Sequence, residues 1–370
     1  MTRIGIIGLG KMGSSHLAIA AAHPEVEIAG ICDPGPQVVE ILEKHTRFKG
    51  FKDYRKMLES EKVDAVVIST PSKTHGQIVR DALNAGADVF CEKPFVLDVG
   101  EGEQLVDLAA TLNRVTQVGY CYRFVAAFEE ARRVVESGAL GRVHHVRAQA
   151  YGPVVLKAKG GTWRSAKSEG GGCLYDYAIH TIDLLNMLVG PPQAVDGVVL
   201  SPVFSSDVDD EVYATIRYGG GLSGQLAVNW SDDSQRKMRV QIEIWGEKGR
   251  INVDRQECQV YLRQPSDALP GYAKGWNIRY TTDLTPPVGF FLRGEEYSAQ
   301  IDYFVKSVKA RRTDGISNFA SALEADRFAS MLRKAGESGE ASGVLPVADR
   351  TVAPRRSRLM SLLFGRGRGG

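Results

Sequence analysis

Near the start of the chain stands the stretch Arg3-Ile-Gly-Ile-Ile-Gly8-Leu-Gly10-Lys-Met-Gly13. A short apolar run ends at Gly8, and a helical pattern follows directly after Gly13. In a strand–turn–helix context the first glycine of G-x-G-x-x-G allows the tight turn, the second lets a pyrophosphate approach the backbone, and the third lets the helix pack on the strand. The free amides and the positive end of the helix dipole can then bind a diphosphate. The alternative is a structural turn that binds nothing.

A second apolar run, Val26–Cys32, ends at Asp33. An acidic residue about 20 positions beyond the last glycine is where the ribose hydroxyls of NAD are bound. Asp33 is followed by Pro34-Gly35 and not by a basic residue that could pair with a 2′-phosphate. Because a carboxylate repels that phosphate, the sequence predicts a site for NAD rather than NADP.

The pattern of apolar runs changes once along the chain. Up to residue 122, short buried strands alternate with helices, which indicates a parallel sheet with right-handed crossovers. From 123 to 348 we predict an α+β domain, because several strands separated by turn residues lie between 194 and 263 and indicate an antiparallel sheet. Residues 264–294 are rich in Pro, Gly and aromatic residues, which predicts a loop over a site.

Length and composition narrow the class of protein. A chain of 370 residues with 43% apolar and 24% charged residues is typical of a two-domain globular protein. No apolar run approaches the roughly 20 residues of a membrane span, and the N-terminus already reads as a strand, so we expect no signal peptide. Five scattered cysteines without a C-x-x-C motif predict reduced thiols, a cytoplasmic location and no metal site.

The net charge of +2 conceals an uneven distribution. The last 21 residues hold six arginines and no acid, and the remaining chain has a net charge of −4 without a basic stripe. This argues against nucleic acid as a partner. The tail, 349–370, surrounds an apolar patch at 359–364 with basic residues. We expect a disordered end, and the alternative is a weak amphipathic contact with anionic lipid or a partner.

Glu92-Lys93-Pro94 is the first of two further motifs that point to chemistry. It directly follows a predicted strand, Asp88–Cys91. Open α/β sheets bind their ligands beyond the carboxyl ends of the strands. A lysine that is fixed there by a following proline can point into the ligand crevice. The alternative is a solvated surface lysine.

The second motif follows Gly170-Gly-Gly172. On a helix Asp176, His180 and Asp183 lie at i, i+4 and i+7, on one face. An aspartate one turn before a histidine can fix its tautomer and raise its basicity, which suits a general acid–base. The alternatives are a solvated polar face or a metal site, and the lack of a further ligand cluster nearby disfavours metal.

Together these motifs resemble the glucose–fructose oxidoreductase / inositol dehydrogenase / MocA (Gfo/Idh/MocA) family of NAD(P)-dependent oxidoreductases. The resemblance covers about residues 3–345 and implies an α/β fold: a Rossmann domain over 1–122, then an α+β domain over 123–348 with an open, mainly antiparallel sheet. It also implies a homodimer or homotetramer and a sugar-like small-molecule substrate. The motifs that carry it are Gly8-Leu-Gly10-Lys-Met-Gly13, Asp64–Pro71 with His75, Glu92-Lys93-Pro94, Tyr122-Arg123-Phe124, Trp163-Arg164 and Gly170-Gly-Gly with Asp176 and His180.

The resemblance implies roles for individual residues. His180 would take the hydroxyl proton of a secondary alcohol while hydride passes to the nicotinamide, Lys93 would stabilise the charge on the same oxygen, and Asp176 would orient substrate or His180. The residues implied to bind the cofactor are Gly8, Gly10, Lys11, Met12, Gly13, Asp33, Thr70, Pro71, His75, Glu92, Lys93, Trp163 and Arg164. Those implied to face the substrate are Lys93, Tyr122, Arg123, Asp176 and His180, with a structural role as the alternative for Arg123.

The sequence does not single out one substrate. The family acts on free sugars, inositols, nucleotide-sugars and similar ring alcohols, and loops 152–169 and 264–294 would choose among them. A nucleotide-activated sugar ranks slightly ahead of free inositol. The first loop holds basic side chains that could meet a phosphate or carboxylate, with a solvated loop as the alternative: Lys157, Lys159, Arg164 and Lys167. The rival functions are a non-catalytic dinucleotide-binding regulator, against which the presence of Lys93 and His180 argues, and a reductase of a non-sugar carbonyl or imine.

Overall fold

The first sheet has six parallel strands in the order β3-β2-β1-β4-β5-β6. We describe it from a computed structural model, which covers residues 1–158, 162–286 and 295–338. The central strand β1 is apolar and buried along most of its length because helices cover both faces of the sheet. The strands are β1 (Thr2–Ile7), β2 (Val26–Cys32), β3 (Gly50–Phe51), β4 (Ala65–Ile68), β5 (Asp88–Cys91) and β6 (Thr116–Val118).

The strand order reverses between β1 and β4, which pair with each other in parallel. Ligands of open α/β sheets bind at such a switch point, beyond the carboxyl ends of the strands. The turns that follow β1, β4 and β5 therefore define the predicted crevice. The helices that cross between these strands are α1 (Lys11–Ala22), α2 (Pro36–His45), α3 (Tyr54–Ser60), α4 (His75–Asn84) and α5 (Val99–Thr111).

The second sheet has eight strands in the order β14-β13-β12-β11-β7-β10-β9-β8. Its pairs are antiparallel except β7 with β10, which run parallel, so the predicted α/β fold with a mainly antiparallel second sheet is confirmed. The strands are β7 (Val143–Tyr151), β8 (Ala194–Ser201), β9 (Glu211–Arg217), β10 (Ser223–Asn229), β11 (Arg239–Gly246), β12 (Gly249–Asp254), β13 (Glu257–Leu262) and β14 (Gly275–Tyr280).

The last two helices pack against the first sheet. α9 returns to the first sheet, where Phe304 packs edge-on against Phe90 of β5 at 5.8 Å, and Phe319 of α10 stacks on Phe95 at 4.2 Å. The boundary expected at residue 122 stays a prediction. The helices after β6 are α6 (Ala126–Glu136), α7 (Ile179–Val189), α8 (Thr281–Leu284), α9 (Glu295–Ala310) and α10 (Phe319–Ser338), and a π-helical turn, Leu174–Ala178, leads into α7.

The region 264–294 differs from its prediction as a loop. It contains the edge strand β14, on which Trp276, Ile278 and Tyr280 alternate and lie about half exposed on the outer face of the sheet. The period-two pattern is that of a strand, but Pro and Gly on either side obscured it. Residues 287–294 lie outside the described part.

Two other predictions concern the whole chain. All five cysteines are unpaired and buried. No helix among the described residues is long and apolar enough to cross a membrane. The tail, 349–370, lies outside the described residues, so both interpretations of it stay predictions.

Candidate active site

The glycine-rich turn joins β1 to α1, and backbone atoms pack closely against two of its three glycines. Gly8 has a φ of +89°, and a Cβ there would lie 2.7 Å from the carbonyl oxygen of Ser69. A Cβ on Gly13 would lie 1.9 Å from the carbonyl oxygen of Gly8. Around Gly10, the N-cap of α1, the space is open. The start of the helix can thus be approached closely by a diphosphate, as a dinucleotide requires.

Asp33 lies at the carboxyl end of β2, beside this turn. One carboxylate oxygen accepts a hydrogen bond from the Leu9 amide at 2.7 Å, and the other accepts one from the Gly35 amide at 2.8 Å. These bonds hold an acceptor where the ribose of a dinucleotide would lie. Lys11 and Met12 form the first turn of α1. The turn and its acid therefore fit the predicted cofactor.

Lys93 extends from the end of β5 to the turn before α7. Its Nζ donates to the Oδ1 and to the backbone oxygen of Asp176, both at 2.9 Å. Nε of Arg164 donates to the other carboxylate oxygen at 2.8 Å. Burial alone would raise the pKa of Asp176, but the two cations hold this pKa well below its usual range. Asp176 is thus a buried anion that fixes the ammonium of Lys93.

His180 lies on α7, beside Lys93. Its ring packs against the rings of Tyr122 and Tyr120, with centroids 5.1 and 6.4 Å away. Burial and the nearby charge of Lys93 hold the pKa of His180 well below its usual range. The imidazole is therefore neutral at neutral pH and able to accept a proton.

The expectation that Asp176 orients His180 needs correction. Both oxygens of its carboxylate are bound to Lys93 and Arg164, and Nδ1 of His180 is buried without a hydrogen-bond partner among the described residues. The reason is local geometry: residues 174–178 form a π-helical turn, in which the i, i+4 stacking of an α-helix does not hold.

The predicted substrate contact of Arg123 is also corrected. Its Nε and Nη2 donate to the carboxylate of Asp183 at 2.6 to 3.0 Å, and both side chains are buried. The guanidinium also donates to the backbone oxygen of Ile316. Arg123 therefore joins α7 to the segment before α10, which is the structural role given as the alternative. Its ion pair also occupies the carboxylate of Asp183, so Asp183 is not available to the predicted catalytic residues.

His75 and Glu92 lie beneath the turns rather than on their surface. The two ring nitrogens of buried His75 lie 2.9 Å from the Pro94 oxygen and 3.0 Å from the Thr70 oxygen. Oε1 of Glu92 lies 2.6 Å from Nε2 of His16. His75 thus contacts the backbone of the predicted cofactor turns, and its expected direct contact with the cofactor stays a prediction. Thr70 and Pro71 lie in the turn that follows β4, as expected for the crevice.

Trp163 begins a short 3₁₀ helix, Trp163–Ser165, that carries Arg164 to Asp176. The guanidinium of Arg164 lies 4.7 Å from the centroid of the Trp163 ring. Trp163 also lines a cavity of about 690 Å³ together with residues 204–207. The structure therefore brings Arg164 to the predicted catalytic residues, whereas a cofactor contact of either residue stays a prediction.

Sequence reasoning missed residues on the far side of Tyr122. The guanidinium of Arg255 lies 5.3 Å from the centroid of that ring, and Sδ of Met238 lies 3.5 Å from its hydroxyl oxygen. Both residues line a cavity of about 570 Å³ that also includes the cations Arg236, Lys237 and Arg239. These residues flank ordinary strands, and no local motif marks them.

Among the described residues, no group of three or more His, Cys, Asp or Glu side chains is arranged to hold a metal ion. The prediction that the site lacks a metal stays a prediction. The groups that do converge are a lysine, a carboxylate, an arginine and a neutral histidine beside a dinucleotide-type turn. This is the composition of a site for hydride and proton transfer rather than of a metal centre.

Comparison with known proteins agrees with this class. Residues 2–120 match the profile of an oxidoreductase family with an NAD-binding Rossmann fold, and residues 128–252 match the GFO/IDH/MocA C-terminal domain. The chain belongs to the Gfo/Idh/MocA family of oxidoreductases, and its cofactor is NAD. The predicted family and the predicted cofactor are thus confirmed.

Individual relatives span most of the chain. A myo-inositol 2-dehydrogenase of Thermotoga maritima is 26% identical over 327 residues, which cover 85% of this chain and 90% of the relative. A levoglucosan dehydrogenase of Pseudarthrobacter phenanthrenivorans is 29% identical over 326 residues, and the match covers 76% of this chain and 81% of the relative. A solved levoglucosan dehydrogenase in complex with NADH and levoglucosan superposes with a TM-score of 0.80 at 24% identity, covering 91% of this chain and 97% of that one.

Proposed function

We propose that the chain transfers hydride between NAD and a ring secondary alcohol, or the corresponding ketone, of a sugar or cyclitol. The observation that carries this proposal is the convergence of the Lys93 ammonium, held by Asp176, with the neutral imidazole of His180. The names of the two relatives, one an inositol and the other a levoglucosan dehydrogenase, support the substrate class.

The residues divide the chemistry between them. NAD, when bound, supplies the nicotinamide that accepts the hydride. His180 accepts the hydroxyl proton, for which its lowered pKa keeps it neutral. Lys93 donates a hydrogen bond to the same oxygen and stabilises its developing negative charge. Asp176 pairs with the Lys93 ammonium and holds it in place. In the reverse direction His180 returns the proton to the oxygen.

The cofactor would be held by the residues around the switch point. The amides at the start of α1 would bind the diphosphate, with Gly8, Gly10 and Gly13 leaving the necessary space. Asp33 would accept from the ribose hydroxyls and would repel a 2′-phosphate. Thr70 and Pro71 would line the crevice at the end of β4.

A substrate with an anionic substituent is favoured within this class. The cavity lined by Arg255 and Met238 holds four cations and two carboxylates, Asp254 and Glu296, which leaves an excess of positive charge. Among the described residues only Arg255 of these cations is ion-paired, with Glu296. A phosphate or carboxylate of the substrate would compensate this charge. The charge supports a nucleotide-activated sugar or a sugar acid ahead of a free cyclitol.

The proposal is tested by following NAD⁺ reduction by absorbance over a panel of free sugars, inositols, sugar acids and UDP- or GDP-sugars, with NADP⁺ in parallel. We expect turnover with NAD⁺ on one substrate class, lost in His180→Ala. Lys93→Ala should lose turnover while still binding NADH. Silence over the whole panel with NADH still bound would favour the non-catalytic regulator, and activity on acyclic carbonyl compounds alone would favour the reductase alternative.

We also propose that the protein works in the cytoplasm as a homodimer or homotetramer. The unpaired, buried cysteines support a reducing compartment. The half-exposed apolar row on β14 supports a contact between copies. A weak contact of the tail with a membrane surface is a further prediction, which the binding of a tail-deleted protein to anionic vesicles would test.

A further inference from the structure

A buried histidine of α1, the helix that follows the glycine-rich turn, contacts the turn that carries Lys93. Nε2 of His16, on α1, lies 2.6 Å from Oε1 of Glu92. The ring of His16 is fully buried and packs edge-on against Phe90 at 5.1 Å. The two partners are 76 residues apart in sequence, so this contact ties the helix that follows the glycine-rich turn to the residue that precedes Lys93.

Glu92 transmits this contact to Lys93. Burial alone would raise the pKa of Glu92, but the hydrogen bond with His16 and the charges of His16 and Lys93 lower it, so the carboxylate stays an anion. Its second oxygen accepts a hydrogen bond from the Lys93 amide at 3.2 Å. A Cβ on Gly119 would come within 2.9 Å of this carboxylate. The side chain of Glu92 is therefore confined between α1 and the end of β6.

The other end of the turn is held by a second buried histidine. His75, at the start of α4, contacts the backbone oxygen of Pro94 at 2.9 Å and that of Thr70 at 3.0 Å. It thereby packs between the turn after β5 and the turn after β4, and its neutral ring donates a hydrogen bond to one of these two oxygens. Lys93 lies between the two held residues, and its side chain spans from there to Asp176.

We propose that His16 and His75 are positioning residues that fix Lys93 against Asp176 by holding the two ends of the Glu92-Lys93-Pro94 turn. Neither ring is exposed to a substrate, since both are buried. The inference rests on the proposed function of Lys93 in hydride transfer. Through His16 and Glu92, helix α1, which follows the glycine-rich turn, is also connected to Lys93. The predicted cofactor site and the predicted catalytic lysine are therefore held by the same contacts.

The test compares His16→Leu and His75→Leu with the conservative His16→Gln, whose amide can still donate to Glu92. His23→Leu is the matched control, because His23 is a buried histidine at the end of the same helix whose ring lies 3.3 Å from a carboxylate oxygen of Asp302, away from the turn. We expect kcat to fall about 10- to 100-fold in both leucine variants, as when the supports of reacting groups are lost. The KM for NAD⁺ should change less than about threefold. His16→Gln should regain most of kcat, and the control should keep it.

A second measurement does not depend on turnover. Reductive methylation of NADH-bound protein, read by peptide mass spectrometry, reports how firmly Lys93 is held relative to the exposed Lys44 of α2. We expect Lys93 to react several-fold faster in the leucine variants, because the ammonium then leaves Asp176. If a leucine variant fails to fold, Glu92→Gln, which keeps the volume and removes the charge, is measured in the same two ways.

The outcomes separate the alternatives. Unchanged kcat and unchanged Lys93 reactivity in folded variants would overturn the positioning role, and so would equal losses in His16→Gln, His16→Leu and the control, which would mark ordinary packing. A wild type without turnover on any ring alcohol would contradict the proposed function instead. The labelling ratio would still decide whether the two histidines hold Lys93.

Discussion

At the scale of single residues, the environment of His180 sets the pH range in which the site can accept a proton. Burial and the charge of Lys93 both lower its pKa, so the imidazole stays neutral below the ordinary histidine value of about 6.5. We expect the acid limb of kcat/KM to lie below that pH. In Lys93→Met the charge is gone, so the pKa of His180 should rise. NMR titration of ring-labelled histidine, assigned with His180→Gln, measures it, and an unmoved or lower pKa would contradict the coupling.

Asp176 allows a sharper prediction, because it contacts two cations and not His180. Asp176→Asn keeps the shape but removes the charge that holds Lys93. We expect kcat to fall about 10- to 100-fold, with the dissociation constant of NADH, measured by fluorescence, nearly unchanged. Arg164→Gln should cost less, since Lys93 then keeps its partner. Equal losses in both variants would show that Arg164 has a role beyond holding Asp176.

Local sequence patterns revealed the functional residues that lie in a turn or just after the end of a strand. Lys93 and Asp33 were found because each directly follows a strand. The contact between Lys93 and Asp176 was not predicted, although both residues were, because they are 83 positions apart in sequence. His16 was missed for the same reason. A lone histidine on a helix gives no sign of the carboxylate that it meets.

At the scale of elements, α10 carries a buried carboxyl group that the proposed chemistry does not use. Asp326 accepts a hydrogen bond from the Val96 amide at 3.1 Å, and its other oxygen has no partner within the described residues. Burial raises the pKa of Asp326 well above its usual value. The folded state therefore retains a proton that the unfolded chain releases above about pH 4. The raised pKa of Asp326 therefore lowers the free energy of unfolding as the pH rises.

Asp326→Asn should remove that dependence, since the amide is neutral and its oxygen can still accept from Val96. Wild type should lose up to about 1.4 kcal/mol of unfolding free energy per pH unit between the two pKa values. The advantage of the variant should therefore grow from pH 5 to pH 8 in urea denaturation. Asp107→Asn, an exposed position on α5, is the control. A difference that is constant with pH would contradict a raised pKa of Asp326.

Helices and strands were predicted correctly where the apolar residues kept a single periodicity along the whole segment. The strands Val26–Cys32 and Asp88–Cys91 have the bounds that the sequence indicated. The two failures have physical causes. The turn at 174–178 is π-helical, and its wider geometry depends on tertiary contacts that an apolar pattern does not record. Strand β14 lies at a sheet edge between Pro- and Gly-rich segments, so its alternation spans only six residues.

At the scale of the whole molecule, sequence order and spatial order differ. Ile301 and Phe304 of α9 join the same buried cluster as Ile4 and Ile6 of β1, although the whole second sheet lies between them in sequence. Composition and pattern predict that two sheets form, but no local signal indicates that the last helices return to the first sheet. That return is a long-range packing result, and it places α10 beneath the turn that carries Lys93.

The outer face of the second sheet is divided in a way that predicts how copies associate. Its centre is polar, with Glu243 paired to Arg147 and Arg250, whereas its edge exposes Trp276 and Ile278. Apolar side chains at an exposed edge strand favour association. We therefore expect the double variant Trp276→Glu and Ile278→Glu to form a smaller species than wild type by light scattering. Ile41→Glu, at an exposed position on α2, should leave the mass unchanged. An unaltered mass in the double variant would mean that the contact between copies lies elsewhere.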